Sequence, residues 1–382
     1  MTTSPDSSNL ASRPLSRRSL LRGGAKLVAG AALLPAAAEL LAACGSSSSS
    51  ATTAGTAAAS STVAPAITST TVKSLGSMEF QFNWITNVQF AGSYIASSKN
   101  YYRDAGIDVS LVTGGPNVSV IPVLQAGNAL VGVVDPVTTA AANAKGAGLV
   151  IIGAAYQKSP NCIISLADSP ITTPAELVGK KIGVGATSIP TMQAFMKANH
   201  LDYSSIDVVP IQFDPAPLAA RQVQGYFGFI SNEAITLQME GDPVHTMLLA
   251  DFGLAQYAEN YGVAASSLTD SVKRAKIKAF LHGEIRGWQD VVANPQPAVD
   301  LVVSRYGKSL ALSAQQQLLE AQAQNQLVVS ADTQQHGLFW MSEQAIAANL
   351  QSLSLTGSPA SASLFDNSLL EEIYAGGHYL SA

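Results

Sequence analysis

Aromatic and amide side chains crowd one short stretch of this chain, Asn83-Trp84-Ile85-Thr86-Asn87-Val88-Gln89-Phe90. Trp84 and Phe90 could stack on a flat ring, with Asn83, Asn87 and Gln89 hydrogen-bonding its edge; Trp84 could equally anchor a core. A second stretch, Gly183-Val184-Gly185-Ala186-Thr187-Ser188-Ile189-Pro190-Thr191, reads as a glycine-containing turn before a helix. Free N–H groups at a helix start suit an anionic ligand group, so Thr187 and Ser188 either meet a ligand or only cap the helix. No Gly-Lys-Ser/Thr follows, which excludes a phosphate P-loop. Asn232-Glu233 come just after the apolar run Tyr226–Ile230. A carboxylate there could accept from a ring amino group or could only charge a helix start. Asp251-Phe252-Gly253 lacks the companions of a kinase metal motif, so Asp251 faces a ligand or caps a turn. Tyr156-Gln157 either reach a ligand or pack a connection, and Asp135-Pro136 ranks below these.

No set of residues makes a convincing nucleophile and base. There is no Gly-x-Ser-x-Gly elbow, and the five histidines are scattered away from metal-ligand spacings. Cys162 sits in the apolar run Asn161-Cys162-Ile163-Ile164 and reads as a buried, inert thiol. A pair of carboxylates meeting in space is not excluded by spacing. No cofactor and no metal is expected.

The first 44 residues carry an address. Arg17-Arg18 precede a soft apolar run, Leu27 to Leu34, too short to span a bilayer, and the stretch closes on Leu41-Ala42-Ala43-Cys44. The arginine pair is of the twin-arginine export type, and the ending resembles the lipobox of bacterial lipoproteins. On this reading residues 1–43 are a signal peptide. Cys44 becomes the lipidated first residue, and the protein is anchored outside the cytoplasmic membrane. Residues 45–62 are only Gly, Ser, Ala and Thr, so 44–76 form a flexible tether. The signal holds five basic and two acidic residues. The remainder therefore carries −8 against −5 for the whole chain, which argues against nucleic acid as a partner.

The elements that must position these residues alternate between strand and helix patterns. Strands are expected at 78–82, 107–112, 130–134, 149–155, 181–184, 206–213, 225–230 and 245–249. Helices are expected at 92–105, 118–126, from 138, from 173 and at 190–199, with mainly helix after Ser271, clearest at 279–293 and 313–326. Such alternation indicates α/β architecture with parallel sheets covered by helices.

Several pieces, in order, resemble the solute-binding proteins of ABC importers that handle thiamine pyrimidine precursors, riboflavin, nitrate, sulfonates and taurine. They are Asn83-Trp84 … Gln89-Phe90-Ala91-Gly92 … Tyr101-Tyr102-Arg103-Asp104-Ala105-Gly106-Ile107; Leu177 to Val184; Ser231-Asn232-Glu233 … Asp251-Phe252-Gly253; and Gly287-Trp288 … Asn294-Pro295. The cysteine-rich signature of the fungal pyrimidine-synthase relatives is missing. The resemblance implies a two-lobe, type II periplasmic-binding-protein-like fold with a ligand cleft between the lobes. The first lobe is placed at 77–165 plus 255–382 and the second at 166–254. It implies a monomeric binder of a small heteroaromatic vitamin precursor serving a permease and an ATPase. A nitrate, sulfonate or taurine binder, an enzyme related to the pyrimidine-precursor synthases and a tethered sensor are the alternatives.

Overall fold

A computed structural model describes residues 73–357 and 359–375 of the chain. The expected signal, Cys44 and nearly all of the tether lie outside these residues. Two five-stranded sheets organise the rest. The first is built from β1 (Ser77–Gln81), β2 (Asp108–Val112), β3 (Val131–Val134), β4 (Leu149–Tyr156) and β10 (Ala258–Ala264), in the order β2-β1-β3-β10-β4. The second contains β5 (Asn161–Leu166), β6 (Lys181–Val184), β7 (Asp207–Pro210), β8 (Gly225–Phe229) and β9 (Val244–Leu248), in the order β7-β6-β8-β5-β9.

Burial explains the strand types. All eight residues of β4 are buried, as a continuous apolar run requires when both faces of its sheet are covered. The edge strand β7 keeps no fully buried residue. β1 pairs in parallel with β2 and β3, and β6 with β7 and β8. β10 runs antiparallel to β3 and β4, and β5 antiparallel to β8 and β9. The sheets are therefore mixed rather than purely parallel. The strands that break the rule are the two by which the chain enters each sheet from the other.

Those crossings set the geometry of the site. Asn161–Leu166 joins the second sheet, so the first crossing lies at 157–160, ahead of the boundary drawn at 165. The return spans 249–257 and includes a short turn of helix, Leu249–Phe252. The expected helix 92–105 is two, Ala91–Ser98 and Tyr101–Asp104, because Asn100 takes a left-handed φ of 61°. The expected strand 206–213 stops at Pro210. Behind the first sheet the long helix Ser271–Ala293 crosses Ala91–Ser98 so closely that a Cβ on Gly92 would lie 2.2 Å from the Trp288 ring. Among the described residues no helix is long and apolar enough to cross a membrane.

Candidate functional site

A cleft of about 520 Å³ lies between the two sheets, within the range of small-molecule pockets. Its walls come from the carboxyl ends of β1, β3, β6 and β8 and from the return crossing into β10, where open α/β sheets place their ligands. The lobes touch at its rims. Thr187 N donates to Pro116 O at 3.4 Å, Asn117 Nδ2 to Gln212 Oε1 at 3.4 Å, and Gln316 Nε2 to Asn232 Oδ1 at 3.2 Å.

The loop after β1 is held in place on several sides. Gly114 N donates to Trp84 O at 3.0 Å, Thr86 Oγ1 to Tyr306 O at 2.8 Å, and Val88 N to Gln317 Oε1 at 2.7 Å. Asn83, Trp84 and Gln89 line the cleft. Trp84 is half-buried, with part of its ring against the first lobe's core. Asn87 and Phe90 do not line it. Asn87 Oδ1 caps the turn Val88–Phe90 by accepting from Gln89 N at 3.2 Å, and its Nδ2 donates to Glu320 Oε1 at 2.9 Å. Phe90 stacks on Phe82 with ring centres 3.9 Å apart, because that turn points it into the core.

From the second lobe, Thr187, Ser188, Asn232 and Glu233 line the cleft. Neither Thr187 nor Ser188 caps the helix Ile189–Ala198 with its side chain, which leaves both hydroxyls for other partners. Glu233 opens the helix Glu233–Glu240 and accepts from Phe229 N through Oε2 at 2.8 Å. Gly228 makes room for it, since a Cβ there would sit 2.9 Å from that oxygen. Burial pushes the Glu233 carboxyl up to about 7 against the pull of the Phe229 and Glu233 backbone N–H groups.

Three other candidates lie elsewhere. Tyr156 is buried and donates to Gln324 Oε1 at 2.8 Å. Gln157 is tied to the first crossing, donating to Ala154 O at 3.0 Å and accepting from Ser330 Oγ at 3.3 Å. Asp251 is exposed in the turn Leu249–Phe252 of the return crossing. Cys162 is buried, and burial raises its thiol well above the usual range.

Sequence reasoning missed Gln256 and Glu259, both in the cleft wall. Burial pushes Glu259 up to about 7, while Gln89 and Asn83 pull it down and Asp135 raises it further. Asp135 also lines the cleft and caps the helix Pro136–Asn143 through Thr138 N at 2.9 Å. The Asp-Pro pair after an apolar run was its local signal. The cleft thus presents the carboxyls of Asp135, Glu233 and Glu259, and among the described residues no Lys, Arg or His lines it. No group of three or more His, Cys, Asp or Glu able to hold a metal ion occurs among the described residues.

Residues 87–298 match the family described as NMT1/THI5 like. The riboflavin-binding protein RibY of Chloroflexus aurantiacus is 26% identical over 330 residues, covering 83% of this chain and 91% of that protein. The formylaminopyrimidine-binding protein of Halalkalibacterium halodurans is 20% identical over 241 residues, covering 62% and 73%. The periplasmic aliphatic sulphonate binding protein of Escherichia coli superposes with a TM-score of 0.55 at 17% identity, over 73% of this chain and 91% of its own. The fold is accordingly that of the two-lobe, type II periplasmic binding proteins.

Proposed function

The chain belongs to the NMT1/THI5 like family, and on that footing we propose that it is the extracytoplasmic solute-binding component of an ABC importer. It captures a small heteroaromatic vitamin precursor, a thiamine-type pyrimidine or a flavin-like ring, by closing its two lobes, which the crossings at 157–160 and 249–257 join. Lipid on Cys44 holds it at the outer face of the cytoplasmic membrane, where it hands its cargo as a monomer to a permease driven by an ATPase. The ligand leaves unchanged, since the cleft offers no convincing nucleophile–base pair. In this reading Trp84 stacks on the ring. Asn83, Gln89, Thr187, Ser188 and Asn232 hydrogen-bond around it, and Glu233 accepts from a donor on it.

The composition of the cleft carries the choice of ligand class. A nitrate or sulfonate entering a site with carboxyls on both sides and no lining cation among the described residues would meet no counter-charge, and repulsion wherever those carboxyls are ionised. A neutral ring bearing amino or ring N–H groups meets acceptors instead. The names of the riboflavin- and formylaminopyrimidine-binding relatives support the same class. Thermal unfolding with riboflavin, formylaminopyrimidine and an aliphatic sulfonate tests it. A ligand at 100 times its Kd raises stability by about 2.7 kcal/mol. Stabilisation by one of the two rings, at one per chain, is the expected result; stabilisation by the sulfonate alone contradicts it.

A further inference from the structure

Three buried polar atoms on residues of the cleft wall have no hydrogen-bond partner, Gln256 Nε2, Tyr257 Oη and Glu259 Oε2, and two of them are complementary: the donor Gln256 Nε2 and the acceptor Glu259 Oε2. Both side chains are more than nine-tenths buried, with 6% of each exposed. Buried polar groups are nearly always paired, and leaving one unmade is unfavourable, so two orphans in one ligand-sized wall need a reason. The backbone adds a second observation. Glu259 holds a left-handed φ of 48°, a conformation that a long side chain rarely adopts, just before the register shift of β10 between Asn260 and Gly262. Both residues are also anchored. Gln256 O accepts from Ser159 N at 2.8 Å where the two crossings meet, and Glu259 Oε1 accepts from Asn83 Nδ2 at 3.4 Å.

We propose that Gln256 and Glu259 form a recognition pair for one edge of the ligand ring, Gln256 donating to a ring acceptor and Glu259 accepting from an adjacent N–H. Resting on the ligand class proposed above, this assigns the choice among ring ligands, and of rings over anions, to the return crossing. An edge that places an acceptor beside a donor, as in an aminopyrimidine or the imide side of a flavin, satisfies both orphans at once. A sulfonate satisfies Gln256 and opposes Glu259.

The polarity of the pair makes it testable by exchange of one atom. In Glu259→Gln the amide oxygen keeps the Asn83 Nδ2 bond, since that amide's own oxygen accepts from Gln89 Nε2 at 3.5 Å. The new NH₂ then replaces Oε2 and faces the ligand's N–H with a donor. Measured above pH 7, where the Glu259 carboxyl is ionised, binding of whichever of riboflavin and formylaminopyrimidine the wild type takes should weaken by at least about tenfold, the lower end for a hydrogen bond to a charged group. The relative affinity for methanesulfonate should rise. Glu259→Asn, whose residue tolerates the left-handed backbone, withdraws the acceptor without placing a reversed donor and should weaken the ring ligand, with a smaller gain for methanesulfonate than Glu259→Gln gives. Gln256→Met removes the donor that both ligand classes would use and should weaken the ring ligand and methanesulfonate alike. Wild-type protein that binds neither ring contradicts the ligand class, and the pair with it. Wild type that binds a ring, with both Glu259 variants binding it as tightly, overturns the role of the pair and leaves the class standing.

Discussion

Replacing Glu233 by Gln isolates one buried carboxyl and ties stability to pH with a definite sign. The side chain is 5% exposed, and its carboxyl lies at about 7 against an ordinary 4.5. In the unfolded chain the group ionises near its ordinary value. Between the two values the folded protein therefore holds a proton that the unfolded chain has released, and stability falls as pH rises. The relative stabilisation is complete below pH 4.5 and is lost as pH climbs through about 7. A difference of that size corresponds to about 3 kcal/mol. Gln keeps the shape and can keep accepting from Phe229 N, yet it never ionises. Glu259, Glu284 and Asp135, all raised by burial, remain in both proteins and cancel in the comparison. Glu320, raised by burial and further by the Glu233 charge, does not cancel but changes the difference in the same direction. Urea unfolding of ligand-free wild type and variant from pH 4.5 to 8.5 reads the effect. The stability of Glu233→Gln relative to wild type should rise by about 3 kcal/mol across that window, whatever constant offset the substitution adds. A difference that stays flat with pH would refute the burial argument.

Two aromatic substitutions in one loop should separate site from core. Trp84→Ala should weaken ring binding by about 0.5–1.5 kcal/mol beyond lost burial while barely moving the ligand-free melting point. Phe90→Ala, which removes the Phe82 stack, should cost about 3–5 kcal/mol of stability by denaturant unfolding; the reverse pattern would exchange their roles. Cys44→Ala should release unlipidated protein from the membrane fraction or block its processing, and normal processing with unchanged attachment on fractionation would rule out the lipid anchor.

Much of this could be read from the chain because its signals are local. β1, β4 and β6 follow from apolar alternation or continuous apolar runs, and Asn83, Trp84, Thr187, Ser188, Asn232 and Glu233 all stand where such strands end. Periodicity reached strand ends but not the direction of side chains in the turns beyond them. The turn Val88–Phe90 rotates Phe90 onto Phe82, Asn87 is spent on capping it, and Asp251 points outward from a similar turn. β10 was hidden because Ala-Glu-Asn-Tyr-Gly-Val-Ala has no strand periodicity of its own. It is a strand because β3 and β4 leave an opening between them that only the returning chain fills. Gln256 and Glu259 were invisible for the same reason, since their place in the cleft depends on that long-range pairing and on a left-handed backbone at Glu259.

Native mass spectrometry of protein purified without refolding tests the central claim most directly. It should show the chain carrying one small heteroaromatic molecule, which leaves unchanged in mass when the protein is unfolded. A bound nitrate or sulfonate, or a ring released as a chemically converted product, would contradict it.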